Sequence, residues 1–309
     1  MSISICIATY NRLPYLKTCL NSICNKFEDY PYEIIIADGG STDGTIEFLK
    51  DLDNIKLIEE KKLTGATKAF NKCFKVAKGD YIFPVADDSS IVSNVAIKAC
   101  KLMNEEDQIS LVIPKVYEPD FGHLHRVSLP KNVYWLLWGK AFIFRASAFK
   151  EMNYFDEAYR IYSVESDTSF SIQKLGYTSI FTKDIGIIHN RADDAEKNKA
   201  RSSNIDKDKK NKEIKYFDIK WQPLIKEVEK YLHNFPLKKR KALVYRRLCA
   251  TMFYANWLKP FVNINDKVSM NLYDWLMEKS IIFSDKNYKN MKDFVYAQKL
   301  PDEILSSLN

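Results

Sequence analysis

Every residue from Ile3 to Ala8 except Ser4 is apolar, and the run then breaks into Thr9-Tyr10-Asn11-Arg12. The same design returns where Ile34-Ile35-Ile36-Ala37 breaks into Asp38-Gly39-Gly40-Ser41-Thr42-Asp43-Gly44, and where Tyr81-Ile82-Phe83-Pro84-Val85-Ala86 breaks into Asp87-Asp88-Ser89-Ser90. Short apolar runs bounded by turn-forming residues are the pattern of strands buried on both faces of a parallel sheet. They predict strands over Ile3–Ala8, Tyr32–Ala37, Ile55–Glu59 and Tyr81–Val85. Between them the apolar positions take a helical spacing: Leu16, Cys19, Leu20 and Ile23 mark a helix opened by Asn11 and Pro14 and running to about Asn25. A second helix is predicted over Thr45–Leu52, and Ala66, Ala69, Phe70, Cys73, Phe74 and Ala77 stripe a third over Thr64–Ala77. A helix over Val92–Met103 follows the last strand. Strict alternation of strand and helix implies an α/β sheet with parallel strands and right-handed crossovers.

From Ser110 to His189 the pattern is less regular. Strands are predicted at Leu111–Pro114, Trp135–Arg145, Thr178–Thr182 and Ile185–Ile188. Helices are predicted at Ala146–Met152 and Thr168–Leu175, the latter closed by Gly176. From Arg191 to Lys220 the composition turns to Lys, Asp, Asn and Ser, which reads as an exposed mobile linker or lid carrying a solvated helix. Residues 221–309 read as all-helical, with Trp221, Leu224, Val228 and Tyr231 at helical spacing. The predicted organisation is a domain over 1–190 with halves 1–90 and 91–190, a basic linker over 191–220, and a helical C-terminal region over 221–309.

Composition changes this picture in one respect. Residues 1–189 carry 22 Lys and Arg against 24 Asp and Glu, whereas 190–309 carry 25 against 16. The basic charge therefore belongs to the C-terminal part. The six cysteines are scattered without a C-x-x-C pair, as expected for buried free thiols in a reducing compartment. No basic segment precedes Ile3, so no signal peptide is expected. No apolar run reaches the roughly 18 to 20 residues of a membrane span. The longest candidate, residues 133–149, is interrupted by Lys140 and Arg145. The expected location is cytoplasmic, or peripheral on the inner face of the membrane.

The candidate chemistry lies at the strand ends. Asp87 and Asp88 close a buried strand at the edge where open α/β sheets bind ligands, and two adjacent carboxylates there repel unless a cation lies between them. A divalent metal held for a phosphate-bearing ligand is one reading; Asp88 or Ser89 capping the following helix is the other. The segments "TYNR", "ADGGSTDGT" and "GDYIFPVADDSS", in this order and spacing, resemble family 2 glycosyltransferases of the GT-A fold. The resemblance implies a nucleotide-diphospho-sugar transferase fold, a Rossmann-like mixed sheet flanked by helices, here with a C-terminal helical appendage. The 1–90 half would bind nucleotide and the 91–190 half the acceptor.

By the resemblance, Asp38 accepts the ring N–H of a pyrimidine base; a turn aspartate ahead of Gly39-Gly40 is the alternative. Thr9 and Arg12 would lie near the base and phosphates, although Arg12 also suits a surface charge at a helix start. Many family members carry Asp-x-Asp or Asp-Asp-Asp where this chain has Ala86-Asp87-Asp88-Ser89. Counting from Tyr81, Asp88 falls on the last aspartate and becomes the metal ligand, with Asp87 on the ribose. The ion implied is Mn²⁺ or Mg²⁺. His189 stands where relatives often place a metal-binding histidine, though a structural histidine is the commoner case. Phe155-Asp156-Glu157 and Gly176-Tyr177 bracket the family's catalytic segment, which places Glu165 as general base and Asp167 as the fallback. Asp167 also suits the N-cap of a helix at Thr168. Trp135 and Trp138, with Tyr134, suit a stacking platform for a sugar acceptor or simply a core.

The function this implies is metal-dependent inverting transfer of a sugar from a nucleotide-diphosphate sugar, with UDP expected, to a hydroxyl of a glycan or lipid-linked glycan, as in polysaccharide biosynthesis. The alternatives are a nucleotidyltransferase, which would usually show a Gly-rich basic loop after the first strand, and a non-catalytic sugar-nucleotide-binding or scaffold protein. An anionic membrane surface is a further candidate partner of the basic tail. No nucleic-acid partner is expected, because no recognisable motif accompanies that charge.

Overall fold

The computed structural model describes residues 1–118, 123–125, 141–160, 163–190, 204–233, 294–298 and 306. The strands are β1 (Ile3–Thr9), β2 (Tyr32–Asp38), β3 (Ile55–Glu59), β4 (Tyr81–Ala86), β5 (Ser89–Ile91), β6 (Ile109–Glu118), β7 (His123–His125), β8 (Ile143–Arg145), β9 (Thr178–His189) and β10 (Phe294–Gln298). The helices are α1 (Leu13–Phe27), α2 (Thr45–Lys50), α3 (Ala66–Val76), α4 (Val95–Glu105), α5 (Ala146–Glu151), α6 (Val164–Lys174) and α7 (Asn204–His233). The strands form one mixed sheet in the order β10-β9-β6-β8-β4-β1-β2-β3, with β5 added on β9 and β7 on β6.

β1 lies between β2 and β4, parallel to both. Flanked on two sides and covered on two faces, it has no position for a polar side chain directed to water, hence its nearly unbroken apolar run. Its pleat divides the core. Ile3, Ile5 and Ile7 pack with Leu16, Leu20 and Ile23 of α1, Leu49 of α2 and Ala96 and Ala99 of α4. Cys6 on the opposite face packs with Ala69, Cys73 and Phe74 of α3, Phe149 of α5 and Ile172 of α6. Helices thus cover both faces, the three-layer arrangement the alternating pattern predicts. On the second face Phe144 and Phe149 stack with ring centres 4.0 Å apart, and Phe74 meets Phe149 and Phe155 edge-on. Cys6, Cys19, Cys73 and Cys100 are buried free thiols and Cys24 an exposed one.

Several expected elements differ. Ser89–Ile91 form a strand rather than the approach to a helix, and α4 begins only at Val95 after Asn94. β9 is continuous over the gap expected at 183–184. α6 begins at Val164, four residues before the expected start, because Ser163 turns the chain with φ +64°. The segment expected to be a solvated helix within a linker is part of α7, which runs through 220 and 221 and buries Glu213, Phe217, Trp221 and Leu224. Those residues recur every three or four positions on one face, which fastens the helix to the domain. Residues 294–298 form a strand antiparallel to β9 within a region expected to be all-helical. The Phe-Val-Tyr run suits a strand.

Candidate active site

β1, β2 and β4 are parallel neighbours, so Thr9, Asp38 and the Ala86-Asp87-Asp88 segment leave the sheet at one edge. Backbone and side-chain hydrogen bonds join the first two loops. Gly39 N–H donates to Thr9 O at 2.9 Å, Asn11 N–H to Ser41 Oγ at 2.8 Å, Thr42 N–H to Asn11 Oδ1 at 2.7 Å and Leu13 N–H to Asp43 Oδ2 at 3.1 Å. Asn11 holds φ +50°, a region asparagine tolerates better than most residues, and this bend carries Arg12 back over the sheet edge. At Gly39 a Cβ would come within 2.8 Å of Leu63 Cδ1 and 3.3 Å of the Tyr10 ring, so the loops after β1 and β3 meet over it.

The carboxylate pair is buried: Asp87 is 4% and Asp88 6% exposed. Thr9 Oγ1 donates to Asp87 Oδ2 at 2.9 Å, and Arg12 Nη1 donates to Asp87 Oδ1 at 2.9 Å and to Asp88 Oδ2 at 3.2 Å. Burial pushes the Asp87 carboxyl above its ordinary range and repulsion from Asp88 adds to this, while Arg12 and Thr9 oppose it. The reading of Asp88 or Ser89 as a helix cap is overturned, since Ser89 begins β5, Asp88 directly precedes it, and Asn94 stands at the start of α4. Ala86, at the position where many relatives carry another carboxylate, is exposed.

His189 reaches this pair through sheet register. β5 pairs antiparallel with β9 so that Ser89 faces His189, and Asn190 N–H donates to Asp88 O at 2.9 Å. His189 Nε2 consequently lies 3.2 Å from Asp88 Oδ1. Two ligands adjacent on an octahedral ion with bonds of 2.0–2.1 Å stand about 3 Å apart, so this oxygen and nitrogen are already spaced to share one. Among the described residues no group of three or more His, Cys, Asp or Glu side chains is arranged to hold a metal ion, so Asp88 and His189 would supply two ligands. That donor set suits an ion that completes its shell with ligand phosphates and water. The residues therefore fit a divalent cation.

The Asp38 carboxylate is turned into its own loop. It is fully buried; Oδ1 accepts from Gly40 N–H at 2.9 Å and Ser41 N–H at 2.7 Å, and Oδ2 accepts from Ser41 Oγ at 2.6 Å. The side chain fills the turn role, the alternative given for it from sequence, because Gly40 at φ +85° folds the loop back onto it.

β9 runs parallel to β6, β6 antiparallel to β8 and β8 antiparallel to β4, so β9 has the same sense as β1 and β4. α6 leads into β9 through the turn at 175–177, which directs the helix's first turn, with Glu165 and Asp167, toward the carboxyl edge. Glu165 is half-buried there. Asp167 is 2% exposed and engaged on both oxygens: Tyr159 O–H donates to Oδ1 at 3.1 Å and Trp221 Nε1–H at 2.7 Å, and Lys220 Nζ lies 2.8 Å from Oδ1 and donates to Oδ2 at 3.1 Å. It borders a cavity of about 470 Å³ lined also by Asn71, Asp156 and Lys220. Neither the cap role nor a free basic oxygen fits Asp167, which lies within the helix and anchors α7. Nothing in the Lys-rich sequence around Lys220 marked it as that anchor. Trp135 and Trp138 lie outside the described residues.

The model of the family described as Glycosyl transferase family 2 matches residues 4–169, more than half of the chain. The chain belongs to that family. Poly(ribitol-phosphate) beta-glucosyltransferase of Bacillus spizizenii is 33% identical over 122 residues, 38% of this chain and 19% of that protein. The chain spans less than half the length of the curated relatives it matches first, 19%, 26% and 48% of three of them. Among solved structures, S. aureus TarS 1–349 in complex with UDP-GlcNAc superposes with a TM-score of 0.55 at 17% identity, over 91% of this chain and 81% of that one. Mannosyltransferase PcManGT from Pyrobaculum calidifontis, in complex with GDP-Man and Mn²⁺, superposes with a TM-score of 0.50 at 21% identity, over 62% and 57%. The fold of this family 2 chain is the GT-A fold: a mixed sheet whose carboxyl edge carries the Asp87–Asp88 pair.

Proposed function

We propose that the chain carries out inverting transfer of a sugar from a nucleotide-diphosphate donor to a hydroxyl of a glycan or lipid-linked glycan, in a single displacement that depends on Mn²⁺ or Mg²⁺. The observation that carries this reading is the meeting of Thr9, Arg12, Asp87, Asp88 and His189 at the carboxyl edge of a family 2 domain. UDP is the expected nucleotide, in keeping with the UDP-GlcNAc complex of the TarS fragment, and a polyol-phosphate polymer is the kind of acceptor the curated relative's name suggests.

Asp88 and His189 would hold the cation, and Asp87 would orient the ribose. A cation bound there supplies positive charge against the diphosphate that leaves. Thr9 fixes the Asp87 carboxylate through a hydrogen bond, and Arg12 offers a guanidinium to phosphate oxygens. Exposed Ala86 leaves room for the donor beside the pair. Glu165, in the first turn of α6, takes the proton of the acceptor hydroxyl as that oxygen attacks the anomeric carbon from the face opposite the diphosphate. One displacement inverts the anomeric centre.

A panel of UDP-, GDP- and CDP-sugars scored for nucleotide release, with Mn²⁺ or with EDTA, tests the reading. Release from one donor class, lost in EDTA and in Asp88→Ala while that variant stays folded, is the expected result. Undiminished turnover in excess EDTA removes the metal; release of pyrophosphate from a nucleoside triphosphate, or binding without turnover, would replace the reaction.

A further inference from the structure

Asp87 and Asp88 are buried in a site where neighbouring carboxylates repel, and among the described residues the cation bonded to both is Arg12. Its guanidinium uses a single nitrogen, Nη1, for the two contacts, at 2.9 and 3.2 Å, and the side chain is only 16% exposed. The remaining carboxylate oxygens face Thr9 Oγ1 and His189 Nε2. The placement is built rather than incidental. Asn11 is held at φ +50° by hydrogen bonds to Ser41 and from Thr42, and Arg12 follows directly at the N-terminal boundary of α1, where its side chain makes no capping bond.

We infer that Arg12 is an internal counter-ion that occupies the carboxylate pair in the donor-free protein and competes there with the divalent cation. The inference rests on the metal reading given above and adds an order to it. A guanidinium charge about 3 Å from both carboxylates weakens the attraction of the pair for a second cation. A donor diphosphate changes the balance, because its oxygens offer the guanidinium a planar, charge-assisted alternative and offer the cation further ligands. Arg12 then passes from the carboxylates to the diphosphate as donor and cation load together. The donor-free protein binds a divalent ion weakly, and its carboxylate pair is stabilised by Arg12 instead.

The test measures Mn²⁺ binding to donor-free protein, by the electron paramagnetic resonance signal of free Mn²⁺, alongside thermal unfolding in EDTA and in Mn²⁺. Wild type, Arg12→Gln, Arg12→Lys and the double variant Arg12→Gln/Asp88→Ala are compared. Arg12→Gln is expected to bind Mn²⁺ at least about tenfold more tightly than wild type. It should also unfold at a lower temperature in EDTA and recover with Mn²⁺, with the gained affinity absent from the double variant. Arg12→Lys, which keeps the charge and loses the fork, should fall between, and it keeps the test decisive should Arg12→Gln fail to fold. With UDP added, the gap in Mn²⁺ affinity between wild type and Arg12→Gln should close. Equal Mn²⁺ affinity in wild type and the Arg12 variants, or no Mn²⁺ binding by any of them, overturns the inference. If wild-type turnover proves independent of metal, the metal reading has failed; if turnover requires Mn²⁺ and the Arg12 variants bind it no better, only the counter-ion role has.

Discussion

Glu165 and Asp167 stand two residues apart on the first turn of one helix, and their surroundings differ. Asp167 accepts hydrogen bonds from Tyr159 and Trp221 and is ion-paired with Lys220. Burial pushes its carboxyl above the ordinary range, and those three partners pull against the shift. Its oxygens are committed to α7, and Glu165 is half-buried in the same turn. Glu165→Gln keeps the size and removes the proton acceptor, so kcat should fall by roughly two to four orders of magnitude with donor KM little changed. Asp167→Asn should act first on stability, by about 1–3 kcal/mol for a buried hydrogen-bonding group left with poorer partners. Steady-state kinetics and chemical unfolding of the two variants check this. A large kcat loss in Asp167→Asn, with Glu165→Gln near wild type, would move the base by two positions. Asp38 illustrates the reverse lesson: its place at a strand end made it a ligand candidate, yet its two acceptor oxygens close the Gly40-Ser41 turn.

At the scale of elements, the helix that sequence assigned to a solvated linker is fastened by charge and by rings. Lys220 Nζ lies 2.8 Å from Asp156 Oδ2 and 2.8 Å from Asp167 Oδ1. Phe170 meets Phe217 and Trp221 edge-on with centres 5.1 and 5.2 Å apart, and Arg160 N–H donates to Glu213 Oε1 at 3.1 Å. Burial works against the Lys220 charge, but hydrogen bonds to Asp156 and Asp167 outweigh it and raise its pKa above the ordinary 10.5. A raised folded-state pKa gives stability that is fully present below the unfolded value and is lost as pH rises through the folded one. Wild type should therefore melt above Lys220→Met by a steady margin from neutral pH to about 10, and that margin should shrink as pH rises past 10.5. A margin that is flat to pH 11.5, measured by calorimetry, would show that the charge contributes nothing and only the rings hold α7. The strand–helix alternation of residues 1–90 was legible because strands buried on both faces are written as apolar runs. β5 was not, since Ser89-Ser90-Ile91 has no periodicity of its own and becomes a strand by pairing with β9, about a hundred residues away. The same pairing brings His189 to Asp88, so their proximity came from the family resemblance and not from local pattern. The α7 stripe was hidden because Glu213 is buried, and Lys220 half-buried, by partners that only the folded chain supplies.

For the whole molecule, the question is where the uneven charge directs it. Residues 190–309 carry a net +9 against −2 for the rest, and Lys238-Lys239-Arg240-Lys241, with Arg246 and Arg247, concentrate it at positions outside the described residues. Within α7, Ile219 is 64% exposed, on the same side of the helix as exposed Lys212 and Lys215. An apolar side chain set among lysines on the outer face suits a helix that lies on an anionic interface. No helix among the described residues is long and apolar enough to cross a membrane. Basic residues near an anionic leaflet contribute about 1 kcal/mol each, so four to six acting together hold a protein there at physiological salt. The proposal is that the C-terminal part brings the domain to an anionic surface bearing its acceptor, which suits a lipid-linked glycan. In co-sedimentation, the protein should bind vesicles containing phosphatidylglycerol and not neutral phosphatidylcholine vesicles. Binding should weaken steeply between 50 and 500 mM salt, on the order of a Debye length shortened threefold. Replacing residues 238–241 with Gln should remove most of it, and Ile219→Ser should weaken what remains at high salt. Equal, negligible binding to both kinds of vesicle would assign the charge to a soluble acceptor, such as a polymer carrying phosphate, and pull-down on that polymer would then show the same salt dependence.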